Sequence, residues 1–304
     1  MSPWVPYPSE DELPAKRISP SLMKAADVCL HRVPFYRDRE RVRTDGALRT
    51  AGTAYHAALA RAYGTWQTQG AWPTLEQMLE TVRQTVDECV NAIDDQGRPV
   101  QFDWHFQAKS FRNPEILWTL EDIVEHASTA VTVYFESGHM WNMDRFMVQA
   151  VEQKFTLPLD GPWTPVDHSQ AWGRSGILDL VLYDMETGWD IIVDHKLTKK
   201  KWAKDKGQPS NEPAPALYHA AWRDVTGRQA VTMYFDIMGI KDWEFDRRPA
   251  PRSQEQIDLT VERAIDLAKL IDQGGPYPAN PSHFLCSKAW CDYWDDCAFG
   301  KGLA

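Results

Sequence analysis

Apolar positions along this chain change their period near residue 145, and the change separates two kinds of predicted structure. Before it, apolar residues recur every three to four positions over long stretches, which predicts amphipathic helices. Ser19-Pro20 opens the first, with serine as N-cap and proline at the first helical position, and the helix runs through LMKAADVCLHR carrying Cys29. AGTAYHAALARAYGTW predicts a second helix, which holds His56. TLEQMLETVRQTVDECVNAI predicts a third. PEILWTLEDIVEHASTAVTVYFESG predicts a fourth, with Asn113 as N-cap and Pro114 inside.

Beyond residue 145 the runs shorten and fill with β-branched and apolar residues. FMVQAVEQKFTLPL, GILDLVLYDM, WDIIVDHKL and AVTMYFDIM read as strands, with a hairpin loop from Asp184 to Gly188. PALYHAAWRDV and SQEQIDLTVERAIDLAKLIDQ read as helices between and after them. The expected organisation is an arm over 1–17, a helical portion over 18–145, an α/β core over 146–280 and a cysteine-bearing tail over 281–304. These parts are expected to form one integrated domain.

Composition narrows the function classes. The 304 residues are 43% hydrophobic and 25% charged, as in a soluble globular protein, and the net charge is −10. Such a chain does not bind nucleic acid by bulk attraction, so any contact needs a local basic patch. No apolar run approaches the ~20 residues of a membrane helix. The first residues lack the basic and apolar parts of a signal peptide, so a cytoplasmic protein is expected. One basic patch exists: LTKKKWAKDKGQ concentrates Lys199, Lys200, Lys201, Lys204 and Lys206 around Trp202. The lysines are expected to contact phosphates, and Trp202 to stack on an unpaired base.

The predicted hairpin contains two carboxylates and a lysine. Side chains alternate along a strand, so Asp194 and Lys196 share one face and His195 takes the other. Pairing across the hairpin brings Asp179 toward Asp194. Two carboxylates buried together repel unless a cation lies between them. Oxygen ligands suit Mg²⁺ or Mn²⁺, and a lysine beside such an ion can orient an attacking water. The alternative from these residues alone is a pair of strand-end acids with Lys196 as their salt-bridge partner. Five cysteines complete the inventory: Cys286, Cys291 and Cys297 cluster near the C-terminus, while Cys29 and Cys89 stand apart. With Cys29, the triplet makes four thiols, a set that binds either zinc or an iron–sulfur cluster. Cys89 reads as a packed thiol on a helix.

Gly176-x-x-Asp179, a hairpin, and then three apolar residues before Asp194-x-Lys196 resemble the core of the PD-(D/E)xK nucleases, in particular the RecB-like branch. Gly52-Thr53-Ala54-Tyr55-His56 resembles that branch's helical G-x-x-x-H motif, and Ile18-Ser19-Pro20-Ser21 followed by Cys29 resembles its opening helix. The ordered set spans roughly residues 18 to 297. The resemblance implies a restriction-endonuclease-like α/β fold, with a mixed sheet flanked by helices and a tail joined to the first helix by a metal cluster. It implies that His56, Asp179 and Asp194 bind Mg²⁺ or Mn²⁺, that Lys196 positions the water, and that Glu152 on the first strand belongs to the catalytic set. It also implies that Cys29, Cys286, Cys291 and Cys297 hold a 4Fe-4S cluster, with zinc as runner-up, and that Tyr218 contacts DNA. Two positions depart from the pattern: Leu30 stands where proline often follows the first cysteine, and Ala214 stands where glutamine usually precedes the tyrosine. The implied activity is exonucleolytic hydrolysis of single-stranded or end-exposed DNA in recombination, repair or end-processing, with a helicase or recombinase as partner. A non-catalytic iron–sulfur DNA-binding subunit and an endonuclease on the same core are the alternatives.

Overall fold

The computed structural model describes residues 16–38, 44–94, 96–107, 115–159, 172–199, 212–283, 285–287, 291 and 293–301. It opens with β1 (Lys16–Ile18), α1 (Pro20–Val28) and α2 (Arg32–Arg37). The Leu22 N–H donates to Ser19 Oγ at 3.2 Å, so the expected serine cap is present. Cys29 does not lie within α1. It is the C-cap, in extended backbone, because the helix stops one residue before it.

Next come β2 (Thr44–Gly46), α3 (Ala47–Gln69), α4 (Leu75–Val90), the short strands β3 (Gln101–Asp103), β4 (His105–Gln107) and β5 (Ile116–Leu117), and α5 (Leu120–Glu136). Alanines 47, 51, 54, 58 and 62 of α3 are all buried, and their small side chains let neighbouring backbones approach closely. Tyr55 and Tyr63 of α3 are buried with them, against Val82 and Val86 of α4 and Ile123, Ala127 and Val131 of α5. α5 starts later than the sequence predicts. Thr119 and Asp122 form a reciprocal capping box there, and residues 116 and 117 pair with β4 instead of joining the helix. Asn113 and Pro114 lie outside the described residues.

The remaining elements are β6 (Phe146–Pro158), β7 (Trp172–Asp184), β8 (Trp189–Thr198), α6 (Ala214–Thr226), β9 (Ala230–Gly239), β10 (Glu244–Pro249), α7 (Gln254–Asp272) and the short α8 (Ala298–Lys301). Six strands form one mixed sheet, in the order β1-β7-β8-β9-β10 with β6 also paired to β7. β6, β7 and β8 are antiparallel neighbours, while β8 and β9 are parallel across the α6 crossover. Leu180, Leu182 and Val193 face the core under α3, α4 and α5. Val181 and Ile192 face the opposite core, against Ala221 and Trp222 of α6. The molecule is thus a mixed α/β fold with helices on both faces of its sheet, consistent with a restriction-endonuclease-like architecture.

One edge of β7 is shared. β6 covers the other edge from Gly173 to Asp184. On the shared edge β1 pairs with residues 172–174 and β8 with residues 180–184, so 175–179 lie in a gap between two strand partners. The β7–β8 ladder ends at the Leu180–Val193 pair. Asp179 and Asp194 are the next residues on each strand, placed where the strands fork.

Candidate active site

The fork turns a backbone donor onto a side chain. With the ladder finished, the His195 N–H donates to Asp179 Oδ2 at 2.9 Å. His56 Nδ1 of α3 lies 3.2 Å from the same oxygen. Burial alone would raise the Asp179 pKa, but His56 and then Lys196 outweigh it and hold the carboxyl well below the usual carboxylate range. Burial works against charge on His56 too, but Asp179 outweighs it and raises the imidazole pKa.

Glu152 comes from β6, across from Asp179. Its φ is +47°, a left-handed value that non-glycine residues adopt at a steric cost. The ladder shifts register just before it, between Val148 and Ala150. Burial, then the Asp179 charge, push the Glu152 carboxyl up to about 7. One ligand atom each from His56, Glu152 and Asp179 lies within 4.8 Å of the others.

Asp194 belongs to the same fork but not to that trio. Its Oδ2 is in close ion-pair contact with the Lys196 ammonium. Burial and Asp179 raise the Asp194 pKa, against the opposing pull of Lys196. For Lys196, burial is outweighed by Asp194 and Asp179, so the amine is held charged. The trio and Lys196 border one open groove of about 910 Å³, walled by α3 through Leu48, Arg49, Gly52, Thr53 and Ala57.

The site is therefore one imidazole and two carboxylates around a common point, with a third carboxylate and a charged lysine beside them. The family model of the PD-(D/E)XK nuclease superfamily matches residues 17–298. The chain belongs to this superfamily. No curated relative matches the chain. Among solved structures, the crystal structure of SSO0001 is similar at 9% identity and a TM-score of 0.35, covering 92% of this chain and 94% of that one.

PD-(D/E)XK nucleases normally act through divalent metal ions, and the residues present fit one. Glu152 and Asp179 are mutually repelling oxygen donors with an imidazole alongside, a donor set suited to Mg²⁺ or Mn²⁺. A cation there would offset the Asp179 charge that adds to burial in raising the Glu152 pKa. The fork thus gives this nuclease a place for a divalent ion, with Lys196 as a fixed positive charge beside it.

Other residues singled out in the sequence fall around this centre. Tyr218 is buried beneath it, with its ring edge-on to Phe155 at 5.9 Å. Burial and the charges of Asp194, Asp179 and Glu152 raise the phenol's pKa. A Cβ at Gly176 would stand 2.8 Å from both the Tyr218 and Phe155 rings, so glycine is what lets these rings close over β7. The Lys199 ammonium lies 4.6 Å from the centre of the Phe106 ring. Lys200, Lys201, Trp202, Lys204 and Lys206 lie outside the described residues.

His195 projects to the other face, as alternation predicts, into a buried polar cluster. Its ring stacks on Tyr63 and meets Tyr55, Tyr134 and His56 edge-on. Tyr134 donates to Asp236 Oδ2 at 2.9 Å, and Arg247 grips both Asp236 oxygens at 2.7 and 2.8 Å. Burial pushes the His195 pKa down to about 4. Sequence reasoning missed this network; it put Glu152 in the catalytic set but not among the metal ligands. The available signal for Glu152 was an acid in the middle of an apolar strand.

Cys29, Cys286, Cys291 and Cys297 all line one cavity between the end of α1 and the C-terminal segment. All four are free thiols. The Asn280 N–H donates to Cys29 Sγ at 3.3 Å, while burial and then the other three sulfurs raise the Cys286 pKa. Among the described residues, no three of these sulfurs fall within 4.8 Å of one another. Cys89 lies apart on α4.

Proposed function

We propose that this protein is a Mg²⁺- or Mn²⁺-dependent deoxyribonuclease of the RecB-like branch, acting as an exonuclease on single-stranded or end-exposed DNA. The observation that carries the reading is the convergence of His56, Glu152 and Asp179 at a strand fork beside a charged Lys196. His56, Asp179 and Glu152 would hold the ion, with Asp194 as the further carboxylate assigned to it. When bound, the ion supplies Lewis acidity to the scissile phosphate and lowers the pKa of an attacking water.

The chain's own groups do the rest. Lys196, held as a cation beside Asp194, orients the water and offsets the charge that builds on the phosphoryl oxygens. Asp194 fixes the ammonium in place. Tyr218 and Phe155 close the underside of the site and keep water from the back of the carboxylates.

The RecB-like assignment draws support from the order of the G-x-x-x-H, G-x-x-D and D-x-K motifs, and from the cysteines at both ends of the chain. We assign a 4Fe-4S cluster to Cys29, Cys286, Cys291 and Cys297. Thiolates on one tetrahedral zinc stand ~3.8 Å apart, given Zn–S bonds of about 2.3 Å. A single zinc on the same four thiols is the alternative, and iron content separates the two. The cluster would tie the end of α1 to the C-terminal segment, and a helicase or recombinase would present the DNA end.

Oligonucleotides labelled at either end, single-stranded and duplex, test the reading with purified anaerobic protein. Progressive shortening that requires Mg²⁺ or Mn²⁺ and is lost in Asp194→Asn and Lys196→Ala is expected. Binding without cleavage across several divalent ions would show a non-catalytic subunit. Discrete fragments from circular DNA would show an endonuclease.

A further inference from the structure

The face of α3 that presents His56 carries a second charged group into the groove. Arg49 precedes His56 by seven residues, two helical turns, which places it on the same face about 10 Å along the axis. It lines the groove that contains Glu152, Asp179 and Lys196. Its Nε lies 3.0 Å from Asp45 Oδ1; the Arg49 side chain is 61% exposed, while that of Asp45 is 7% exposed. A buried carboxylate of β2, two residues before α3, therefore steers an exposed guanidinium. An arginine held through Nε still presents the Nη1 and Nη2 edge of its planar fork, which matches two oxygens of a phosphate.

The wall between the two charges is low. Gly52 and Thr53 separate Arg49 from His56, so a sugar–phosphate backbone can lie close along the helix. The other end of the groove gathers Glu152 and Asp179, which repel a polyanion wherever a cation does not cover them. Lys196 is already engaged with Asp194. Among the described lining residues, Arg49 is the cation placed to hold a phosphate away from the metal trio.

We propose that Arg49 clamps the phosphate one nucleotide from the scissile one, which sets the strand's register along α3, with Asp45 as its positioning residue. This rests on the nuclease reading. The strand then runs along α3, with one phosphate at the His56 turn and its neighbour at the Arg49 turn.

The test uses the full chain carrying Asp194→Asn, titrated with a fluorescent single-stranded oligonucleotide over a range of salt concentrations. Adding Arg49→Gln is expected to weaken binding about tenfold and to reduce the slope of log affinity against log salt by about 0.7. Arg49→Lys should restore the slope but only part of the affinity. A methylphosphonate one nucleotide to either side of the scissile phosphate locates the contact. On one side, the neutral linkage and Arg49→Gln should together cost no more than either alone. In the otherwise unaltered enzyme, Arg49→Gln should raise KM with kcat nearly unchanged. Unchanged affinity and slope in Arg49→Gln, with the same melting temperature, would overturn the clamp while leaving the nuclease reading intact. So would full additivity at both methylphosphonate positions. Failure of the Asp194→Asn parent to bind any oligonucleotide would overturn both readings.

Discussion

The His195 backbone N–H donates to the Asp179 side chain at 2.9 Å, taking the place of the strand-to-strand bond that would continue the β7–β8 ladder. One carboxylate thus ends a sheet register and faces His56 at once. Asp179→Asn retains an oxygen for that donor and should change the urea midpoint little, while weakening Mn²⁺ binding. Asp179→Ala strands a buried N–H and should cost about 1–3 kcal/mol of stability as well. Equal stabilities for the two variants would contradict this double role.

Glu152 stands at φ +47°, where a β-carbon costs about 1–2 kcal/mol and glycine sits without strain. Glu152→Gly should therefore melt higher than Glu152→Ala, reversing the usual order within a strand. On the proposed function, both should be impaired in Mn²⁺ binding and nuclease activity. Thermal melts of the two variants side by side decide the point.

The two motif glycines should behave differently. A Cβ at Gly176 meets the Phe155 and Tyr218 rings at 2.8 Å, so Gly176→Ala should cost about 1–3 kcal/mol and disturb the floor of the site. Among the described residues a Cβ at Gly52 would touch Leu197 Cβ alone, at an ordinary 3.9 Å, so Gly52→Ala should keep the parent's stability and affect cleavage only through the groove wall that it raises. Denaturant titration and nuclease rate on each variant would check the contrast.

His219 of α6 provides a pH test remote from the metal site. Burial, then Arg252, push its pKa from 6.5 down to about 4, and it is 4% exposed. The unfolded chain takes up this proton at a higher pH than the folded one does. The neutral ring's contribution is complete above about pH 6.5 and is lost as pH falls toward 4, on the order of 3 kcal/mol over the full window. His219→Leu should flatten the fall in urea midpoint between pH 6.5 and pH 4. A slope identical to that of the parent would remove His219 from the account.

Protein prepared without oxygen should be brown, absorb near ~400 nm and contain iron, as thiolate-bound clusters do. If the four thiols hold the proposed cluster, Cys29→Ser should lose the colour and lower the melting temperature, because Cys29 is the thiol furthest in sequence from the other three. Cys89→Ser should keep both. Colourless protein with stoichiometric zinc would transfer these four thiols to a single-ion site.

Alternation alone separated Asp194 and Lys196 from His195, and hairpin pairing brought Asp179 and Asp194 to one fork, because a strand's two-residue period reads directly from sequence. His56 became legible only through the spacing Gly52 to His56, since a histidine on an alanine-rich helix has no local mark of its role. The trio's third member was obscured by backbone conformation: a left-handed residue in a strand re-aims Glu152, and no residue type announces that. The start of α5 was misplaced because Pro114 and Thr119 both look like helix openings, and tertiary pairing of residues 116–117 with β4 favoured the second. Arg49 escaped because its significance lies in sharing a groove with residues more than 100 positions later.

The hairpin that carries Asp179 and Asp194 turns at residues 185–188, five strand positions from Asp179, or about 17 Å at the usual rise per residue. Between them stand the buried pairs Leu180–Val193 and Leu182–Ile191 on one sheet face and Val181–Ile192 on the other. A peptide tag or a fluorescent reporter spliced into that exposed tip would therefore ride on a stiff lever whose far end it cannot move. The tip is the natural handle for tethering this protein to a surface without disturbing the fork.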